Sequence, residues 1–353
     1  MQDSSVKESI KIGIIGAGSN TCKLHIPNLL AIPGVKILEV ANRSPESSKK
    51  AADKFNIPQV RDNWEDIASS PDTDAIVIGT WPYLHCEASC LALESGKHVL
   101  CEARMSMDEA EARKMLQVSA RFPQLTAQVV PAPFTFKVDK TVRNYIADGT
   151  LGKLFHFDFN FQSEPLAPSS EKLHWRRNIK YSGKNTMVLG IAYETVLRWL
   201  GPAKWVSAVG RVLNNTAIDP ESGNRVTVEV PDYLSVQMEL VNGMPGTFLI
   251  SETGQDTYPP YIKIFGEKGT LHFHYAINGE LLFASSIDRK LRPVSIPYED
   301  QGYWRVEEEF INCIRGKEEL KLNPFAFGLE YMKFTEAVLR SVESGGQRIP
   351  ISN

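Results

Sequence analysis

The sequence lacks the features that mark several common functional classes. No apolar run approaches the ~18 residues needed to cross a membrane. Met1 to Lys11 is polar and of mixed charge, without the apolar stretch of a secretory leader, so cytoplasmic residence is expected. Cysteine is sparse. Cys22, Cys86, Cys90, Cys101 and Cys313 make five in 353 residues, an odd number at spacings that fit no zinc pattern. Reduced, mostly buried thiols and no metal centre are expected. Neither sign of charge dominates. The 39 Lys and Arg against 42 Asp and Glu leave a net charge of −3, which supplies no basic field for nucleic acid or an anionic membrane. Internal repeats and low-complexity stretches are absent as well.

The chain is long enough for two cores. Its first third alternates short apolar runs with helical patterns. Lys11–Ile15, Val35–Ala41, Val60, Asp74–Gly79 and His98–Cys101 read as strands. Segments within 25–32, 44–55, 64–69, 85–94 and 108–121 read as helices. That rhythm predicts a doubly wound parallel sheet over residues 1–128. From Leu154 the pattern changes. Phe155, Phe157, Phe159 and Phe161 alternate with His156, Asp158 and Asn160, the mark of a strand with one buried face. Six more strands follow, at 205–212, 233–240, 247–252, 261–265, 270–275 and 280–283. Turn signals such as Asn242-Gly243 and Asn278-Gly279 lie between them. Residues 129–353 are therefore expected to form an α+β domain with a large, mostly antiparallel sheet.

The chemistry begins at Gly16-Ala17-Gly18, directly after the first strand. Glycines there allow a tight turn and let backbone N–H groups approach a pyrophosphate at a helix start, with Ser19 and Asn20 completing the cradle. A third glycine is missing; Thr21 stands in its place. The second strand ends in Ala41-Asn42-Arg43-Ser44. No carboxylate is present to hold both ribose hydroxyls, and Arg43 suits a 2′-phosphate, which favours NADP(H) with NAD(H) as the alternative. Trp81, Pro82 and Tyr83 follow the Asp74–Gly79 strand, at the carboxyl edge where open α/β sheets bind ligands, so Trp81 and Pro82 are expected near the nicotinamide.

These landmarks resemble the Gfo/Idh/MocA family, named for glucose–fructose oxidoreductase, inositol dehydrogenase and a rhizopine-catabolism protein. The match runs from about Lys11 to Ile351. It rests on Gly13-Ile-Ile-Gly-Ala-Gly18, His25-Ile-Pro27, Thr80-Trp-Pro-Tyr-Leu-His85, Gly96-Lys-His-Val-Leu-Cys-Glu102, Gly266-Glu-Lys-Gly-Thr270 and the tail helix 336–345. The resemblance implies NAD(P)-dependent oxidation or reduction of a sugar, cyclitol or related carbinol at a site between the domains. It also implies a homodimer or homotetramer built on the second domain's sheet. Thr80, His85 and Glu102 join the expected cofactor residues on this basis. Trp175 and Arg176 are expected to reach the cofactor from the second domain.

Three departures qualify that expectation. The family's Glu-Lys-Pro reads Glu102-Ala103-Arg104 here. Its Asp-x-Gly-x-His reads Val188-Leu189-Gly190-Ile191-Ala192. The lysine, aspartate and histidine positions are thus all apolar, and neither alanine nor valine can take a hydroxyl proton. Replacement groups are sought in Lys184, Tyr193, His174 and Arg104. Residues 184, 188 and 192 would share one face if all three lay on one helix. An apolar site also suits reduction of an activated C=C or C=N bond. The alternatives are a tightly held cofactor serving redox-assisted glycoside chemistry, or a non-enzymatic cofactor-binding scaffold. His272 and His274 make too few ligands for a metal.

Overall fold

The structure, a computed structural model, describes residues 9–163, 172–184, 186–254, 259–276 and 278–352; the side chain of Met187 also lies outside the description. The chain divides into two compact units. The first comprises the described residues up to Pro131 together with Arg305–Met332; the second comprises Ala132–Trp304 and the chain from Lys333. The expected division at 128/129 carries no such return of the chain to the first unit.

The first unit holds six strands: β1 (Ile10–Ile15), β2 (Val35–Ala41), β3 (Gln59–Val60), β4 (Ala75–Ile78), β5 (His98–Cys101) and β6 (Ala127–Val129). They are all parallel, in the order β3-β2-β1-β4-β5-β6. A parallel sheet is covered on both faces, and all four residues of β4 are buried accordingly. The helices are α1 (Ile26–Ala31), α2 (Pro45–Phe55), α3 (Trp64–Ala68), α4 (His85–Glu94) and α5 (Glu109–Ala120). Local chemistry sets their ends. The Ser44 side chain accepts from Ser47 N, with Pro45 opening α2, and Asn56 closes that helix in the left-handed region at φ 54°. Asp108 caps α5 by accepting from Glu111 N. Strand order reverses direction at β1 and β4, and the crevice above that point is where such sheets bind ligands.

In the second unit, α6 (Phe136–Ala147) precedes β7 (Leu154–Gln162). A short α7 (Ile179–Ser182) and then α8 (Met187–Leu200) follow. Next come β8 (Ala203–Arg211), the β9 (Thr216–Ile218) and β10 (Arg225–Thr227) ribbon, β11 (Tyr233–Leu240), β12 (Pro245–Ser251), β13 (Tyr261–Gly266), β14 (Gly269–His274), β15 (Leu281–Ser285) and β16 (Arg292–Pro293). Helix α9 (Val306–Ile314) and the first part of α10 (Phe325–Glu343) belong to the first unit; the rest of α10 and β17 (Ile349–Pro350) belong to the second. The large sheet has nine strands in the order β16-β15-β14-β13-β7-β12-β11-β8-β17. Its pairings are antiparallel except β7 with β12, which are parallel. The alternation expected for β7 holds at its centre, where Phe157 and Phe159 are fully buried; Phe155, at the strand's start, is half exposed. On the covered face Phe248 meets Phe157, Phe159 and Phe334, and Tyr193 stacks on Phe334 with centroids 3.7 Å apart. On the other face a cavity of about 300 Å³ lies among His156, Asp158, Trp205, Gln237, Glu239 and Thr247. No helix among the described residues is long and apolar enough to cross a membrane.

One glycine is required by the sheet itself. A Cβ at Gly246 would lie 2.1 Å from the Phe157 ring on the neighbouring strand. Gly246→Ala is expected to cost about 1–3 kcal/mol by overpacking. Urea denaturation should show a lower midpoint with an unchanged slope; a wild-type midpoint would contradict this.

Candidate active site

The β1 turn leaves the sheet with Gly16 at φ +88°. A Cβ there would lie 2.8 Å from Thr80 N, and one at Gly79 would lie 2.3 Å from Gly16 O. Two strand ends therefore meet backbone to backbone, with the side chains of Thr80 and Thr21 packed against them. Gly16 N donates to Ala41 O at 2.8 Å. Ala17 N donates to Asn42 Oδ1 at 2.5 Å, and Asn42 Nδ2 donates to Ser47 O at 3.0 Å. Asn42, expected among the cofactor residues, is thus the strut that joins the turn to the start of α2. After Gly18 the chain enters a π-helical turn, Thr21–His25, which runs into α1.

A cavity of about 530 Å³ opens over this turn, lined by Gly16–Gly18, Asn42, Arg43, Ser47, Thr80, Trp81 and Tyr83. Asp62, Asn63, Trp64 and Glu65 close its outer side. Sequence reading missed these four, because they belong to a short loop and helix with no motif of their own. The Arg43 guanidinium lies 5.4 Å from the centroid of the Trp81 ring. Ser44, at the cap of α2, bonds Ser47. The bare glycine cradle, the helix start and the single arginine at the end of β2 fit a dinucleotide. The backbone N–H groups can meet the pyrophosphate, and Arg43 and Ser47 can meet a ribose phosphate.

His85 is completely buried. Its Nδ1 lies 2.7 Å from Arg104 O and its Nε2 lies 3.1 Å from Thr80 O. Burial pushes its pKa below the usual value, so the ring is neutral and donates through one nitrogen, the shorter contact marking Nδ1. His85 fastens two loops together. Glu102 is bonded by Asn20 Nδ2, by His25 Nε2 at 3.0 Å and by Ala103 N at 3.1 Å. The Ala103–Arg104 peptide is cis, and Arg104 is buried.

In the second unit, His174 accepts from Arg176 N at 3.2 Å and so caps the turn Trp175–Arg177. Burial and the Arg176 charge lower its pKa. With Nδ1 accepting, the neutral ring carries its N–H on Nε2. The Arg176 guanidinium lies 4.8 Å from the Trp175 ring centroid. Lys184 departs from the expected placement. Helix α8 begins only at Met187, and Gly183, at φ +66°, ends the turn before it. Lys184 therefore does not share a helical face with Val188 and Ala192. It is exposed and pairs with Glu343 at 3.2 Å. Tyr193 is in the core, and its hydroxyl accepts from Ala203 N at 2.7 Å. Ala192 is fully buried beside it.

Glu252, just beyond β12, went unnoticed in the sequence because an acidic residue after a strand carries no signal. It is 5% exposed, and its backbone N–H donates to Asp232 O at 2.8 Å. Burial raises its pKa, Arg177 lowers it and Asp232 raises it, leaving it at about 7. An unfolded glutamate ionises near 4.3. The folded state therefore binds the extra proton between these values, and stability falls as pH rises from about 4.3 through about 7. Glu252→Gln should remove this dependence. It is expected to raise stability at pH 8 by about 1–3 kcal/mol while changing little at pH 4.5. Equal shifts at both pH values, measured by denaturant titration, would count against a buried, protonated Glu252.

A glycine turn at the switch point of a parallel sheet, with a helix start behind it and a cavity above it, defines a dinucleotide-binding oxidoreductase unit. The chain belongs to the GFO/IDH/MocA family. Residues 10–126 match the oxidoreductase family's NAD-binding Rossmann fold, and 140–272 match the GFO/IDH/MocA C-terminal domain. The chain is 24% identical over 310 residues to levoglucosan dehydrogenase of Pseudarthrobacter phenanthrenivorans, covering 80% of this chain and 78% of that one. It is 27% identical over 266 residues to trans-1,2-dihydrobenzene-1,2-diol dehydrogenase of Sus scrofa, covering 74% and 73%. Among solved structures, levoglucosan dehydrogenase in complex with NADH and L-sorbose superposes with a TM-score of 0.84 at 20% identity, over 98% of this chain and 99% of that one. The WlbA dehydrogenase of Bordetella pertussis in complex with NADH and UDP-GlcNAcA gives 0.79 at 20% identity, over 98% and 99%.

Proposed function

We propose that this protein is an NADP(H)-preferring oxidoreductase acting on a small polyhydroxylated, carbonyl or unsaturated substrate, without the proton-transfer residues usual in its family. The observation that carries the cofactor reading is the cavity at the β1–β4 edge, with Arg43 at the end of β2 and no carboxylate among Ala41–Ser44. When bound, the nicotinamide would supply the hydride acceptor or donor. Gly18, with Ser19 and Asn20 at the start of the helical turn, would meet the pyrophosphate, and Gly16 and Ala17 would hold the turn through their own bonds to Ala41 and Asn42. Arg43, Ser44 and Ser47 would hold the 2′-phosphate, while Thr80, Trp81 and Pro82 would border the nicotinamide. NAD(H) is the alternative, and two solved neighbours with NADH bound support a site of the general class.

Ala103, Val188 and Ala192 favour a reaction with a light demand for base catalysis, such as reduction of an activated C=C or C=N bond. The buried Arg104 guanidinium can polarise a carbonyl or hold a carboxylate. His174 offers an Nε2–H donor, and Lys184 and Tyr193 are already engaged in contacts within the second unit. The relatives named for levoglucosan and a dihydrobenzene diol support a cyclic polyol or the matching ketone as substrate class.

The test is a fluorescence titration of cofactor-free protein with NADPH and with NADH, alongside Arg43→Ala. NADPH should bind more tightly. The variant should lose about 10–100-fold of NADPH affinity, the worth of a charge-assisted pair at ~1.5–3 kcal/mol, and little NADH affinity. No binding of either nucleotide would overturn the oxidoreductase reading.

We also propose self-association as a homodimer or homotetramer through the exposed face of the nine-stranded sheet. That face combines Trp205 and Val209 with the polar groups around its cavity. Sedimentation should give a mass at least twice 39.5 kDa; a monomer at micromolar concentration would refute the proposal.

A further inference from the structure

A buried charged cluster lies beside the glycine turn; it joins Asn20 and Glu102 of the expected site to His25 and Glu307, to which no role was assigned. His25 is fully buried between two carboxylates. Its Nδ1 is 2.5 Å from Glu307 Oε1 and its Nε2 is 3.0 Å from Glu102 Oε1. Asn28 Nδ2 donates to the other Glu307 oxygen at 3.1 Å, and Asn20 Nδ2 donates to Glu102 Oε1. The backbone explains how Asn20 and His25 reach the same oxygen. On an α-helix, residues five apart point about 140° away from each other. Here Ile26 N bonds Thr21 O across a π-turn, and the wider turn brings both side chains round to Glu102.

Resting on the nucleotide reading above, we propose that His25 is a positioning residue of the cofactor site. Clamped by Glu307, it fixes Glu102 and so ties the turn that cradles the dinucleotide to the loop leaving β5. Burial alone would strip the ring of its proton, but the hydrogen bonds and charges of Glu102 and Glu307 outweigh it and hold the pKa at about 9. Burial likewise raises Glu102, and the His25 bond and charge bring it below the usual carboxylate range. Where the family has a lysine next to this glutamate, Ala103 offers only its backbone N–H. His25 therefore supplies the positive charge that faces Glu102. The carboxylates facing His25 are Glu102, from the loop after β5, and Glu307, from α9.

The sign follows from linkage. A histidine held at about 9 stabilises its surroundings fully below its unfolded value near 6.5, and that contribution is lost as pH rises through 9. If protonated His25 positions the turn, nucleotide binding favours the protonated ring, and affinity falls as His25 deprotonates.

The experiment combines ¹⁵N-imidazole NMR of the full chain with titration of NADPH and NADH between pH 6 and 10. His25 is assigned through His25→Asn. In wild type, the His25 resonance should titrate near pH 9, and affinity for the bound nucleotide should hold to pH 8 and fall several-fold by pH 10. In Glu307→Gln both midpoints should move together toward neutral pH, and in His25→Asn affinity should be weaker and flat across the range. A merely structural role would weaken binding in the variants without moving a midpoint. A His25 resonance titrating at or below 6.5, or an affinity profile that does not follow it in Glu307→Gln, would overturn the proposal. If neither nucleotide binds wild type, the cofactor reading fails and the positioning role with it, while the resonance still reports separately whether the clamp exists.

Discussion

The nucleotide unit is organised around one close approach, the backbone of Gly16 against the backbone of Gly79. A Cβ at either position would meet peptide atoms, Gly79 C and Thr80 N at 2.8 Å from Gly16 and Gly16 O at 2.3 Å from Gly79, together with the side chains of Thr80 and Thr21. This contact seats the end of β1 beside the end of β4, where the order of strands reverses, and the surrounding bonds then hold that turn in place. Asn42 holds it from the β2 side, His85 closes the loops behind it, and Glu102 reaches it through Asn20.

The architecture was largely legible because its signals are local and periodic. Short apolar runs separated by helix caps gave away the parallel sheet, and the alternation in Leu154–Gln162 gave away a strand with two unlike faces. Ser44 and Asp108 marked helix starts that the structure bears out through their own hydrogen bonds. What escaped was any relation between residues far apart in the chain. His25 and Glu307 are separated by 282 positions, and nothing near Glu307 distinguishes it from its neighbours Glu308 and Glu309. The π-turn at Thr21–His25 was equally hidden, since a helical pattern of apolar residues does not reveal one widened turn. Lys184 shows the converse error. A spacing of four has meaning only inside one helix, and the extended Thr186 starts that helix at Met187, leaving Lys184 outside it.

The altered catalytic positions have a physical pattern of their own. Ala192 is packed among core residues, and Tyr193 lies flat on Phe334. The buried carboxylate on this helix, Glu194, is taken up by the N–H of Ala132. Two histidines are held by backbone: His174 by the N–H of Arg176, and His85 by the carbonyl of Arg104. Such groups are well oriented but have little freedom to change protonation state, which agrees with a reaction that moves hydride more than it moves protons.

The return of residues 305–332 to the first unit bears on how the protein is made. Glu309 binds the side chain of Gln128 and the N–H groups of Lys321 and Leu322, Asn323 O receives the N–H of Val129 on β6, and the Tyr331 hydroxyl receives the N–H of Met105. These bonds cover the β6 edge of a sheet whose strands were all synthesised before residue 130. During translation that edge must wait, paired only with β5, while about half of the polypeptide emerges. The nucleotide unit begins the chain, yet it is among the last parts of the molecule to be completed.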